Sequence, residues 1–306
     1  MVLLRNSFFG ILILSLFSAC SNKAHFIPNL SNFEKEKRIP FIFTKTTLKF
    51  VGNNQVLLSD NRLIDSHGKK VIQHPETSDL INDEVVFTKN KNFIAYVTEN
   101  NSVTLFDTVQ KQVIFSEKFP TVSTIDRRLP KPLFEKDSIL YFTLDGKVAV
   151  YSIPNNQISR VISVNETEDY SNIIGYRLSE NSLILLTHKK LLLISDNYDD
   201  NIIVDIRGAI FQDDNFYLIT KNGEIRNYDY KLSLQKQIKF PFAYFIAFGK
   251  VKEKIYLIES QGYVIEIDSD LDKYRVIDSE LDDENCFFTD QKFICDEKFF
   301  RLPLSI

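Results

Sequence analysis

The chain has no tryptophan and one methionine, and its 306 residues include only nine glycines, nine prolines, four histidines and three cysteines. Each scarcity removes a class of protein. So little glycine and proline excludes collagen-like and low-complexity architectures, while 44% hydrophobic and 25% charged residues are the make-up of a chain with a packed core. Sugar hydrolases commonly stack substrate on tryptophan, and none is present. The histidines, His25, His67, His74 and His188, form no H-E-x-x-H pair, so a zinc site has no ligand set. Hydroxyl nucleophiles have no G-x-S-x-G elbow and the cysteines no C-x-x-C motif. An excess of positive charge is also missing. The net charge is −4, and no basic field gathers phosphate backbones, which excludes nucleic acid as a partner. These absences point away from an enzyme, a metal site and a bound cofactor.

Long apolar runs are missing too. After Arg5, residues 8–17 are apolar except for Gly10 and Ser15, then Ser18 and Ala19 lead into Cys20. Ten residues cannot cross a hydrocarbon layer of about 30 Å, so the layout is that of a secretory signal. The sequence Phe17-Ser18-Ala19-Cys20 resembles the lipobox of bacterial lipoproteins, in which the cysteine becomes the lipidated first residue; the other reading is ordinary cleavage after Ala19. Residues 1–19 are thus expected to be a signal peptide, with Cys20 carrying the acyl chains. Residues 20–38 show no sustained apolar period and are expected to form a flexible tether, followed by one domain over 39–306.

What is abundant is β-forming and turn-forming. There are 26 phenylalanines and 13 tyrosines, and from residue 41 short runs rich in Ile, Val, Phe and Tyr alternate with Asn and Asp clusters. Residues 94–107 (IAYVTENNSVTLFD), 139–152 (ILYFTLDGKVAVYS), 216–229 (FYLITKNGEIRNYD) and 255–268 (IYLIESQGYVIEID) align without gaps. In each, an apolar strand meets a turn at Asn100-Asn101, Asp145-Gly146, Asn222-Gly223 or Gln261-Gly262, and a second strand alternates after it. Asn-Gly and Asp-Gly are strong hairpin signals because both turn positions need positive φ. Weaker copies begin at Val56, Leu183 and Phe293, so the seven starts lie 33 to 45 residues apart. A four-stranded unit of that length cannot bury both faces alone, and radial stacking solves this. The predicted fold is all-β, a β-propeller of about seven four-stranded blades, or eight if 39–51 counts separately. A pair of sandwiches or a solenoid is the alternative. The last unit is one strand short, and 41–43 or 48–51 is expected to complete it and close the ring.

Cys286 and Cys295 bound the segment CFFTDQKFIC, two strands around a turn at Asp290-Gln291. That turn makes Thr289 and Lys292 a hydrogen-bonded pair, so alternation makes the cysteines a non-hydrogen-bonded pair with Cα atoms about 4.5 Å apart, close enough for a disulfide. The alternative is two free thiols in the sheet. Asp268-x-Asp270-x-Asp272 opens like a calcium loop, but the sixth position is Lys273 where the sharp turn needs glycine. Since Asp107, Asp229 and Asp268 share one repeat position, a turn role explains the first of them. The most unusual loop is Arg127-Arg128-Leu-Pro-Lys131-Pro-Leu133-Phe134, stiffened by two prolines and carrying three cations beside apolar surface. Its plainer reading is a linker whose Leu133 and Phe134 open the next strand.

A lipobox, a propeller of such units, and G-x-[VI]-x-x-h-[DS] turns (h apolar or Tyr) at Gly146, Gly223 and Gly262 together resemble BamB-like outer-membrane-assembly lipoproteins and PQQ-like repeat proteins. The resemblance covers about residues 40 to 306 and is architectural. It implies a non-enzymatic scaffold without a cofactor, held by Cys20 at the periplasmic side of the outer membrane, where Ser21 after the cysteine favours that membrane. It also implies a partner, the periplasmic domain of a barrel-assembly protein, met as a monomer within a complex through interblade loops. By that analogy Arg127, Arg128 and Lys131 are the contact residues. An accessory propeller of a periplasmic respiratory complex, similar to the NapL protein of nitrate reduction, is the alternative.

Overall fold

In a computed structural model, the chain is described over residues 24–34, 42–43, 48–50, 55–58, 63–65, 70–72, 86–98, 100–122, 128–164, 172–196, 199–279, 281, 286–289, 291–295 and 298–302. The strands form seven separate sheets. Blade 1 is Leu48–Phe50, Gln55–Leu58, Leu63–Asp65 and Lys70–Ile72; blade 2 is Val86–Asn90, Phe93–Val97, Ser102–Asp107 and Gln112–Lys118. Blade 3 is Leu133–Glu135, Ser138–Phe142, Lys147–Ser152 and Gln157–Ser163; blade 4 is Gly175–Leu178, Ser182–Leu186, Lys190–Ser195 and Asp199–Ile203. Blade 5 is Ile206–Phe211, Asn215–Thr220, Glu224–Asp229 and Leu234–Lys239; blade 6 is Phe245–Val251, Lys254–Glu259, Tyr263–Asp268 and Tyr274–Asp278. Blade 7 takes Cys286–Thr289, Lys292–Cys295 and Lys298–Arg301 from the end of the chain and Ile42–Phe43 from its beginning.

Each of the seven repeat starts, from Val56 to Phe293, is the second residue of its blade's second strand. That strand is the most apolar because it is covered on both faces: Ile139, Tyr141 and Phe142 are fully buried, as are Phe216, Leu218 and Ile219. Fourth strands are mostly exposed and first strands of blades 4 to 7 lie side by side, so the sheets stack radially with their first strands innermost. Hydrophobic clusters accordingly sit between blades. Ala95, Val103 and Leu105 of blade 2 pack with Ile139, Tyr141 and Tyr151 of blade 3, and Tyr217 and Ile225 of blade 5 pack with Ile255, Leu257 and Ile265 of blade 6. The Tyr141 hydroxyl donates across the gap to the Thr104 carbonyl at 3.0 Å. Closeness is set by glycine at two places: a Cβ on Gly208 would lie 2.2 Å from the Phe248 ring of the next blade, and one on Gly249 2.2 Å from the ring of Phe288.

Closure uses the earlier of the two expected segments. Ile42 pairs antiparallel with Phe299 and Phe43 with Lys298. Leu48–Phe50 opens blade 1 instead, so the described parts of 39–51 fall in two sheets, and the described residues make seven blades. Cys286 lies opposite Cys295 and the two are disulfide-bonded with Cα atoms 4.1 Å apart; Thr289 lies opposite Lys292. Asp290 of the turn between them lies outside the described residues, as do the signal segment 1–19 and Cys20.

The tether reading of 20–38 needs correction over residues 24–34. Phe26 is 5% exposed, its ring set edge-on to Phe240 (6.1 Å) and Tyr263 (5.9 Å), and Phe33–Glu34 adds to blade 6 as a parallel fifth strand on Tyr274–Asp278. Two phenylalanines, Phe26 and the partly buried Phe33 (6.2 Å from the Tyr263 ring), and a two-residue ladder hold this arm, too little to print a period on the sequence.

Candidate functional site: the hairpin face

Within an antiparallel blade, the turn joining strands two and three and the linker entering strand one emerge on the same face. One bonding pattern builds that face repeatedly. The hydroxyls of Thr98, Thr143, Thr187 and Thr220 accept the backbone N–H across the turn, from Ser102, Lys147, Lys190 and Glu224, at 2.9–3.1 Å. The turn carbonyls of Asn101, Gly146, Gly223 and Gly262 accept the N–H of the residue after strand four, from Phe119, Val164, Phe240 and Ser279, at 2.9–3.1 Å. Gly146, Gly223 and Gly262 have φ of 76°, 82° and 90°, and Asn101 takes the same place at 63°. Gly223 is required twice over, since its Cβ would also sit 2.2 Å from the Phe240 carbonyl. Blade 6 varies the pattern: buried Glu259 replaces the threonine, accepting from Gln261 N at 2.8 Å, Ser260 Oγ at 3.0 Å and Tyr244 N at 3.2 Å.

The linkers are tied together across blades. Asn172 Nδ2 donates to the Arg128 carbonyl (2.7 Å), Arg128 Nη1 to the Arg207 carbonyl (2.9 Å), and Arg207 Nε to the Phe245 carbonyl (2.8 Å). The Arg207 guanidinium lies 4.8 Å above the Tyr244 ring, a cation–π contact. Entrances to blades 3, 4, 5 and 6 are therefore joined in one chain that is buried at both ends, at Asn172 and Phe245. Of the three expected contact cations, Arg127 lies outside the described residues, Lys131 is exposed, and Arg128 does not project as expected. Arg128 is half-buried and spends its guanidinium on backbone, because Leu129, Pro130 and Pro132 around it are buried and fold the loop inward. Leu133 and Phe134 open the first strand of blade 3, the plainer of the two readings of that loop.

Two other features escaped the sequence reading. In the linker Phe240-Pro-Phe-Ala-Tyr244, Ala243 N bonds the Phe240 carbonyl at 3.1 Å, and Phe242, 65% exposed, occupies a left-handed position at φ 65°. A bulky residue there costs roughly 1–2 kcal/mol relative to glycine. In the arm, whose Phe26 packs on Phe240 of that linker, Ile27 is 82% exposed although its neighbour Phe26 is buried. An aromatic-rich linker among polar ones was the signal available for Phe242; nothing marked Ile27.

Charged groups elsewhere serve the scaffold. Asp107 Oδ1 accepts from Val109 N and Gln110 N, and Asp229 Oδ1 from Lys231 N and Ser233 N, so both cap turns. Asp268 pairs with Lys254, and Asp272 with Lys236 of blade 5. Among the described residues, no three His, Cys, Asp or Glu side chains gather in a way that would hold a metal ion. Asp145 titrates low: burial pushes its carboxyl up, but hydrogen bonds from Lys147, Thr143 and Asn101, with the Lys147 charge, outweigh that and hold it below the ordinary carboxylate value.

No family model matches the chain. It is 30% identical over 188 residues to the plasminogen-binding protein PgbB of Helicobacter pylori strain J99, a match covering 60% of this chain and about a third, 35%, of that protein's length. Among solved structures it is similar to BamB from Moraxella catarrhalis, with a TM-score of 0.58 and 8% identity over 84% of this chain and 81% of that one. It is also similar to the C-terminal WD40 domain of Sif2, with a TM-score of 0.57 and 13% identity over 88% and 85%. At such identities the structural likeness is one of fold, and the fold is a β-propeller.

Proposed function

We propose that the chain is a non-catalytic protein-docking propeller, lipid-anchored through Cys20 at the periplasmic side of the outer membrane, that assists assembly of outer-membrane β-barrels. The observation that carries the docking role is the cross-blade chain from Asn172 through Arg128 and Arg207 to Phe245. It fixes the backbone beneath the exposed loops, so a partner meeting Lys131 orders little on binding, and preorganisation of that kind raises affinity without added area. Arg128 acts in this reading as a positioning residue, and Lys131 is the contact. The lipobox-like segment supplies the address, and a partner whose body lies in the same membrane suits an anchored scaffold.

A photo-crosslinker at Lys131 in intact cells tests this. A barrel-assembly component trapped there, and not from the opposite face at Asn155, is the expected result; a periplasmic redox complex would replace this reading with the respiratory alternative. A second reading rests on the 30% identity to PgbB, which is named for binding plasminogen. Retention of plasminogen by the immobilised protein would favour it, and absence of retention would remove it.

A further inference from the structure

The arm and the aromatic linker meet at one place on the ring, the junction of blades 5 and 6. Phe26 packs on Phe240 and Tyr263, and its carbonyl accepts from Gln261 Nε2 at 3.3 Å. Gly223 lets the Phe240–Ala243 turn settle on the blade 5 hairpin. Arm, linker and both hairpin tips therefore form one edge of the hairpin face. Its exposed apolar groups are Ile27, Phe242 and Tyr244, and the exposed polar residues at the two hairpin tips are Lys221, Asn222, Ser260 and Gln261, with exposed Asp205 bonded through its carbonyl to Lys221 N. Phe242 takes a left-handed turn position, as Leu232 and Leu271 do in other turns, but unlike buried Leu271 it leaves its ring exposed.

What covers this edge is indicated by the path of the chain. Only six residue steps separate Phe26 from Cys20. Six residues reach about 20 Å at full extension, so acyl chains on Cys20 cannot be farther than that from the buried Phe26. We infer that the edge bearing Ile27 and Phe242 rests in the headgroup region of the bilayer that holds Cys20. The inference rests on the lipid-anchor reading and deepens it: the fatty chains hold the protein, and the docked arm sets its orientation. Aromatic and aliphatic groups beside a lysine are the composition of an interfacial contact.

The absence of tryptophan makes a direct test available. Phe242→Trp and, separately, Ile27→Trp give the full lipidated protein a single indole, and Val113→Trp places one on the outer strand of blade 2, across the ring. Each protein is reconstituted on vesicles of phosphatidylethanolamine with a minority of phosphatidylglycerol, with and without brominated acyl chains. The expected result is emission quenched about twofold for Trp at 242 and 27 and unchanged at 113, matching an apolar face seated 5–10 Å into the interface. Vesicle-bound protein whose position 242 and 27 reporters are no more quenched than 113 overturns the orientation and leaves the anchor standing. A blue-shifted but unquenched reporter, the sign of cover by protein, overturns it equally. Protein that does not float with vesicles and carries no acyl mass on its amino-terminal peptide overturns the anchor, and this inference with it.

Discussion

The side-chain amide of Asn101 in blade 2 donates to the Asp145 carboxylate in the hairpin of blade 3 at 2.9 Å. The same amide nitrogen donates to the Pro120 carbonyl at 2.8 Å, and its oxygen accepts from Leu144 N at 2.8 Å. Asn101 is completely buried and each of these side-chain hydrogen bonds links its turn to a neighbouring loop or the next blade. It thus does two things at once: it occupies the left-handed turn position that glycine fills in blades 3, 5 and 6, and it joins two sheets.

Those two roles separate on substitution. Asn101→Ala should cost about 3 kcal/mol, since it strands Leu144 N and also places a β-carbon at positive φ. Asn101→Gly should cost about 1 kcal/mol less, because only the bonds are lost. Denaturant midpoints of the two variants against the parent check the difference.

The same contact makes stability depend on acid. Asp145 ionises below its ordinary value of 3.8, so the folded state favours the carboxylate more than the unfolded chain does. Its contribution is complete well above that value and is lost as pH falls through the lower folded pKa. Asp145→Asn should therefore lower the melting temperature at neutral pH and flatten its decline in acid. A variant that keeps the parent's acid slope would show that other carboxylates carry it.

Much of this architecture was legible because repetition amplifies weak signals. The stretch after Ile94 alone is an ambiguous apolar run, but its alignment with those after Ile139, Phe216 and Ile255 placed the second strand and hairpin turn of four blades, and the weaker copies at Val56, Leu183 and Phe293 placed the second strands of the other three. The Cys286–Cys295 register followed from alternation about a tight turn. Side-chain direction in single-copy loops was not legible. Arg128 reads as a projecting cation, and only the burial of Leu129, Pro130 and Pro132 shows that it points inward to a backbone carbonyl from residue 207. The arm was missed for a related reason: two phenylalanines leave no period.

Close approach between blades 6 and 7 gives a prediction with a built-in control. A Cβ at Gly249 would overlap the Phe288 ring at 2.2 Å. Gly249→Ala should destabilise by about 2 kcal/mol, within the usual range for an overpacked interior. Since the obstacle is a side chain, Phe288→Leu in the same chain should recover part of the loss. A thermodynamic cycle on the four proteins measures that coupling, and additive effects would mean that the ring moves aside without cost.

Ring closure joins the two ends of the domain by a backbone ladder, with Ile42 on Phe299 and Phe43 on Lys298, in the blade that also holds the disulfide. Without this strand blade 7 would leave its third strand Lys298–Arg301 as an unpaired edge and the start of the domain would be untied from its end, so this short ladder matters beyond its length. Proline at both 42 and 43 removes every N–H the segment offers and should lower the melting temperature and broaden the transition, as the last blade frees itself from the rest. Reduction of Cys286–Cys295 relaxes a loop of about ten residues, which in the unfolded chain is worth about 2–3 kcal/mol. Melting with and without reductant should show that shift in the parent, and a smaller one in the double-proline protein, where blade 7 no longer unfolds with the ring.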